Sequence, residues 1–181
     1  MKLLIALPCY NEAEKIAQVL ASIPEKFAGI DERRLLVVDD GSTDDTACLA
    51  LAAGAMVVRH KCNRGLGQAF RTAVDYAVEH GFDVMVNMDG DGQFDPGEIQ
   101  TLIDPILREE TDFVTGSRFM RGRKIEHMPA VKRWGNRQMN RLVSRFCGQT
   151  FSDVSCGFRA YNRETLLKIN FYGRFTYTQE S

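Results

Sequence analysis

Apolar and polar positions along this chain come in blocks rather than in strict alternation. Short apolar runs fall at Leu3–Leu7, Arg34–Asp39 (RLLVVD), Ala55–Arg59, Asp83–Met88 and Asp112–Gly116. A half-exposed strand alternates in and out; these runs do not, so each reads as a strand covered on both faces. Between them lie segments with helical spacing: Glu12–Ser22, about Thr43 to Ala53, Leu66–Glu79 and Pro96–Leu107. In the third, Phe70, Val74, Ala77 and Val78 make the apolar side. Pro96 suits a first helical turn, where a missing N–H is no loss. The order predicts an α/β fold, a Rossmann-like and mostly parallel central sheet flanked by helices, with right-handed crossovers.

Composition adds bounds. The 181 residues are 44% apolar and 26% charged, as in one ordinary globular domain. No apolar run approaches the ~20 residues that span a bilayer. Leu3–Leu7 is shorter than the roughly 7–15 residues of a signal-peptide core, so it reads as a first strand. Five cysteines form no CxxC pair and three histidines are scattered, which argues against a zinc site. An odd cysteine count without an export signal points to reduced thiols and a cytoplasmic setting.

In sheets of this kind, ligands gather at the carboxyl ends of the strands. Here those ends read PCYNE (8–12), DDGSTDD (39–45), HKCNRGLGQ (60–68), DGDGQ (89–93) and GSR (116–118). Asp89 and Asp91 stand two residues apart, with Gly90 and Gly92 to let the backbone turn. Two carboxylates so close repel each other, and a divalent cation relieves that repulsion. Asp95 fits a cap for the following helix. A calcium loop fits poorly, because Phe94 and Gln100 stand where its glycine and glutamate belong. An aspartyl-nucleophile phosphatase would carry its DxD after the first strand, not the fourth. NRGLGQA (63–69) has no third glycine and does not follow the first strand, so it is no dinucleotide fingerprint. Asp39, Asp40 and Ser42 by themselves are also compatible with a turn and helix cap.

Taken together, IALPCYNEAEKI, LLVVDDGSTDDT, KCNRGLGQAFRTA, VNMDGDGQFDP, VTGSRF and DVSCGFRAYNRETL cover nearly the whole chain. In this order they resemble the inverting family 2 glycosyltransferases of GT-A fold, in the branch of dolichyl-phosphate mannose and polyprenyl-phosphate glucose synthases. The resemblance implies a single GT-A catalytic domain over residues 1–181, truncated at its C-terminus. The family commonly continues into further helix and membrane-spanning segments, whereas this chain stops at FTYTQES. It implies that Pro8, Tyr10, Glu12, Asp39, Asp40, Gly65 and Asp89 line the nucleotide of a UDP- or GDP-linked sugar. It implies that Asp91, with Gln93 and Asp89, holds Mg²⁺ or Mn²⁺. Catalytic roles fall to Asp89, Asp91, Arg118 and Asp153. Arg118, Lys132 and Arg133 match positions that bind the phosphate of a polyprenyl phosphate acceptor.

Charge distribution bears on that acceptor. The net charge of −1 conceals a segment, 118–145, with nine Lys and Arg residues against the single acid Glu126. From Pro129 its spacing is helical, with Arg133, Arg137, Arg141 and Arg145 recurring every four residues. Like charges at that spacing destabilise a helix by roughly 0.2–0.5 kcal/mol per pair, which points to an anionic partner or a solvated face. No nucleic-acid-binding module is recognisable, and the remaining chain is acidic, so nucleic acid is not the expected partner. An anionic membrane surface is, which places the protein peripherally at the cytoplasmic face. Two alternatives stand: transfer to a sugar or polysaccharide hydroxyl, with Asp153 as general base, or a non-catalytic nucleotide-sugar-binding module.

Overall fold

A computed structural model describes residues 1–116, 145 and 156–169 of the chain. Its elements, in order, are β1 (Lys2–Cys9), α1 (Ile16–Ser22), β2 (Glu32–Asp39), α2 (Thr46–Ala52), β3 (Met56–Arg59) and α3 (Leu66–Glu79). Then come β4 (Val84–Asn87), a 3₁₀ turn (Pro96–Glu98) leading into α4 (Ile99–Leu107), β5 (Phe113–Thr115), β6 (Arg159–Asn162) and α5 (Arg163–Lys168). They form one six-stranded sheet in the order β3-β2-β1-β4-β6-β5.

The block pattern of apolar residues follows from burial on both faces. Along β1, Leu3, Ile5 and Leu7 join a core with Ile16, Val19 and Leu20 of α1 and Ile99, Ile103 and Ile106 of α4. The intervening Leu4 and Ala6 join a second core with Phe70, Ala73, Val74 and Ala77 of α3 and Leu166 of α5. Neighbouring residues of a strand point to opposite faces, so one continuous apolar run feeds two cores. Fully burying one such Leu or Ile is worth about 1.5–3 kcal/mol.

Strands β1 to β4 are mutually parallel, as the sequence predicts. Strand β6 is the departure: it runs antiparallel between β4 and β5. The predicted helix at 66–79 matches α3. Two others start later than predicted. Helix α1 begins at Ile16 rather than Glu12, and α2 at Thr46 rather than Thr43. In both cases the preceding residues are also held by bonds between the two loops.

Among the described residues, no helix is long and apolar enough to cross a membrane. Arg118, Lys132, Arg133 and Asp153 lie outside the described residues, as does the arginine stripe apart from the exposed, helical Arg145.

Candidate active site

The sheet order places β1 at a switch point. The chain steps outward from β1 to β2 to β3, then returns to put β4 on the other side of β1. Loops leaving β1 and β4 both lead to helices on one face, α1 and α4, and so lie side by side around a crevice at the carboxyl ends. Pro8 helps to open it. The ladder to β4 ends where Met88 N–H donates to Ala6 O, 3.0 Å. Pro8, next on that edge, has no N–H with which to extend it. Pro8 is buried in β1, and Tyr10 stands just beyond it with 45% of its surface exposed.

The two loops after β1 and β2 are stapled together. Asn11, at φ 56°, accepts from Thr43 N–H through Oδ1 (2.9 Å), and its own N–H donates to Ser42 Oγ (2.9 Å). Glu12 N–H donates to Thr46 Oγ1 (2.9 Å), and Ala13 N–H to Asp44 Oδ2 (3.1 Å). These bonds hold residues 11–13 and 42–45 outside their helices and give the rim a fixed shape. Gly41, at φ +77°, lets the same loop touch the one after β3, since a Cβ there would sit 2.5 Å from the Cys62 carbonyl carbon.

Asp39 and Asp40 are both buried, at 0% and 4% exposure. Ser42 N–H donates to Asp39 Oδ1 (2.9 Å), and Arg59 Nε lies 3.0 Å from Oδ2, off the hydrogen-bonding direction, so that contact is ionic. Asp40 is more fully engaged. Its Oδ1 lies 2.6 Å from His60 Nδ1 and accepts from Arg64 N–H at 2.9 Å; its Oδ2 accepts from Gly65 N–H at 2.7 Å. A carboxylate only accepts, so His60 carries its proton on Nδ1 and its Nε2 faces Thr72 Oγ1 at 2.9 Å. Gly65, at φ +90°, then starts α3. Asp40 thus fastens the 60–65 loop, a role additional to the nucleotide contact that the resemblance implies.

The acidic loop lies across the crevice. Gly90 packs its Cα onto Cys9, where an added Cβ would be 2.6 Å from Sγ. Asp91 Oδ1 accepts from Gln93 N–H (2.9 Å), turning the exposed Gln93 back beside it. Asp95 caps the 3₁₀ turn by accepting from Gly97 N–H (2.9 Å), as its position after the loop predicts. Electrostatics report how closely the acids converge. The Cys9 thiol is pushed well above its ordinary range, first by burial and then by the charges of Glu12, Asp39, Asp89 and Asp91. Burial, and then Asp91, also push the Glu12 carboxyl upward, with Lys15 opposing. Acids from three strand ends therefore share one space.

Among the described residues, no three His, Cys, Asp or Glu side chains are arranged to hold a metal by themselves. The donor set nevertheless fits a hard cation. Mg²⁺ characteristically takes one or two carboxylates and completes its shell with water and substrate phosphates. Asp89 and Asp91, with Gln93 turned back beside Asp91, offer such a set.

Several residues here escaped sequence reasoning. Cys9 forms the floor beneath Gly90, His60 orients Asp40, and Gly157 lies against the Asp89 carboxylate. Asn87 Nδ2 donates to Gly157 O at 2.9 Å, tying β4 to the segment before β6. The polar Asn87 ending the apolar run VMVN was the available signal.

Comparison with known proteins agrees with this geometry. The sequence model of Glycosyl transferase family 2 matches residues 4–169. Glycosyltransferase AglJ of Haloferax volcanii is 41% identical over 166 residues, covering 91% of this chain and 52% of that protein. Polyprenol monophosphomannose synthase of Mycolicibacterium smegmatis is 32% identical, covering 92% and 64%. Undecaprenyl-phosphate mannosyltransferase of Micrococcus luteus is 31% identical, covering 94% and 70%. Among solved structures, glucosyl-3-phosphoglycerate synthase from Mycobacterium tuberculosis, in complex with Mn²⁺, UDP-glucose and phosphoglyceric acid, superposes with TM-score 0.68 at 28% identity. That match covers 90% of this chain and 57% of the other. The chain thus spans from about half to about two thirds of the length of these relatives. With the family model matching residues 4–169 of its 181 and a six-stranded α/β sheet of GT-A type, the chain belongs to glycosyl transferase family 2.

Proposed function

We propose that this chain is the catalytic domain of an inverting, metal-dependent glycosyltransferase that moves a sugar from a nucleotide diphosphate to a polyprenyl phosphate. The observation that carries the reading is the convergence of Glu12, Asp89 and Asp91 on one crevice at the β1/β4 switch point. The names of relatives acting on polyprenol and undecaprenyl phosphate support the acceptor. The Mn²⁺ and UDP-glucose bound by the solved neighbour support the donor and cofactor.

Each residue then has a task. Tyr10, exposed on the rim, offers a ring for the base to stack on, and Pro8 and Glu12 flank it. Asp39 and Asp40 hold the walls of the nucleotide site through Ser42, Arg64 and Gly65. Asp91, with Asp89 and Gln93, holds Mg²⁺ or Mn²⁺. The bound cation supplies positive charge against the departing diphosphate. An acceptor phosphate is already anionic, so it attacks the anomeric carbon without a general base. It needs cations to bring it there, which is the part assigned to Arg118, Lys132 and Arg133. The basic segment would rest on anionic lipid headgroups at the cytoplasmic face.

The test is turnover with UDP- and GDP-sugars, Mg²⁺ or Mn²⁺, and either a polyprenyl phosphate or the corresponding alcohol. Release of nucleoside diphosphate is expected with the phosphate alone, and not with Asp91→Asn or in chelator. Full activity in excess chelator would refute metal dependence. Glycosylation of the alcohol, a sugar or phosphoglyceric acid in place of the lipid phosphate would refute the acceptor and direct attention to Asp153 as base.

A further inference from the structure

Asp89 is backed by a feature of the sheet that lies far from it in sequence. The last paired residues of β4 and β6 are Asn87 and Arg159. Continuing that antiparallel register by two residues sets Asp89 opposite Gly157. Facing residues in such a pair place their side chains on the same side, so the Asp89 carboxylate lies directly over a glycine. A Cβ at Gly157 would stand 2.5 Å from Asp89 Oδ2, 2.8 Å from Oδ1 and 2.9 Å from Cγ.

The backbone under that carboxylate is fixed. Three successive carbonyls each accept a hydrogen bond: Cys156 O from Arg159 Nε (2.7 Å), Gly157 O from Asn87 Nδ2 (2.9 Å) and Phe158 O from Gly116 N–H (2.8 Å). The Phe158 ring stacks on Phe94 of the acidic loop, with centroids 5.3 Å apart. Cys156, Gly157 and Phe158 are buried.

We propose that Gly157 is a positioning residue for Asp89. Its missing side chain sets where the carboxylate lies, and thereby how well Asp89 and Asp91 together take a divalent cation with the donor diphosphate. This rests on the reading of the site given above. The asymmetry of the contact supports it. A methyl at 157 meets the carboxyl end of the short Asp89 side chain first, whereas the backbone beneath is pinned at three points. The overlap is relieved by Asp89 turning away, not by the strand moving. The fold survives and the carboxylate does not stay in place.

The experiment is titration of Mn²⁺, in the presence of UDP and separately of GDP, into wild type, Gly157→Ala, Asp89→Ala and the double variant, with thermal unfolding of each. Residues that orient metal ligands typically alter metal affinity by about 10–100-fold, and Gly157→Ala is expected to weaken Mn²⁺ binding by that factor. Its melting temperature should stay within a few degrees of wild type. In the Asp89→Ala background the methyl has nothing to displace, so adding Gly157→Ala should change Mn²⁺ affinity less than about twofold. A purely structural role for Gly157 would produce the same loss in both backgrounds, and that result would overturn the proposal. Unchanged affinity in Gly157→Ala would also overturn it while leaving the proposed function standing. Unfolding of Gly157→Ala that Asp89→Ala does not rescue would mean the strand yields first, and would overturn it too. A wild type that binds no Mn²⁺ with either nucleotide would overturn the reading of the site and this inference together.

Discussion

Replacing Asp40 with asparagine changes three atoms' worth of chemistry and should destabilise the whole domain. Oδ1 faces His60 Nδ1 and Arg64 N–H, and Oδ2 faces Gly65 N–H, so every close polar neighbour is a donor. An amide brings one acceptor and one further donor. If its oxygen keeps His60 and Arg64, its NH₂ is driven against Gly65 N–H, and the two surviving bonds lose their charge. A hydrogen bond to a charged group contributes about 1.5–3 kcal/mol and a neutral one about 0.5–1.5 kcal/mol, so one bond lost and two left uncharged cost roughly 3.5–6 kcal/mol. With the Asp40 side chain only 5% exposed, solvent offers little relief. For a domain of this size each kcal/mol moves the melting temperature by about 2–4 °C, so a fall of roughly 7–24 °C is expected. Thermal unfolding followed by circular dichroism measures it. Amide hydrogen exchange should show Arg64 and Gly65 losing protection first. An Asp40→Asn variant within about 0.5 kcal/mol of wild type, with those amides still protected, would refute this account of the loop.

Other consequences are more local. Gly41→Ala should destabilise by at least about 3 kcal/mol in urea unfolding, because φ is +77° and the new Cβ meets backbone at 2.5 Å. Gly54→Ala, at φ +83° with nothing within 4 Å, should cost only about 1–2 kcal/mol; equal effects would contradict the close approach at Gly41. Thiol reagent with peptide mapping should label the exposed Cys48 and Cys62 rapidly and leave buried Cys9 and Cys156 unmodified until unfolding, Cys9 being further protected by its raised pKa. Glu12, whose folded pKa is raised by burial and then by Asp91, binds its proton more tightly when folded. Stability from this group is therefore greatest with Glu12 protonated, and declines as pH rises through the ordinary glutamate range to the raised value. Chemical denaturation of Glu12→Gln against pH should show a smaller decline over that window, and identical slopes would contradict it.

What could be read from the sequence was what short range determines. The runs Leu3–Leu7 and Arg34–Asp39 are strands because their residues suit burial on both faces, and α3 is a helix because its apolar stripe has helical period. The acidic loop after β4 was visible because a charged cluster follows an apolar run. Long-range pairing was not visible. Nothing in CGFRAYN states that it inserts antiparallel beside β4, a contact across 70 positions between Asn87 and Gly157. The true starts of α1 and α2 were hidden for the same reason, since Asn11, Asp44 and Thr46 bond across loops rather than along a helix. His60 looked like one of three scattered histidines, and only the end of β3 beside β2 makes it the partner of Asp40.

That register also explains how one residue type serves two purposes on the same rim. Strand β2 pairs with β3 so that Asp39 lies opposite Arg59. One step further, Asp40 meets His60. Asp39 is thus matched by the Arg59 cation and Asp40 by the His60 ring N–H and two backbone N–H groups, all supplied within the protein. Glu12 and Asp91 come from loops beyond the ends of β1 and β4, where, among the described residues, no ladder brings a base opposite an acid. Burial and then the charge of Asp91 raise the Glu12 pKa, and Lys15 eases that repulsion only in part. A folded protein keeps such repulsion where a ligand removes it. On the proposed reading the ligand is the cation that accompanies the donor diphosphate. The DD after β2 is then architecture and the DGD after β4 is chemistry. Spacing in the sequence does not separate the two roles; the strand lying beside each acid does.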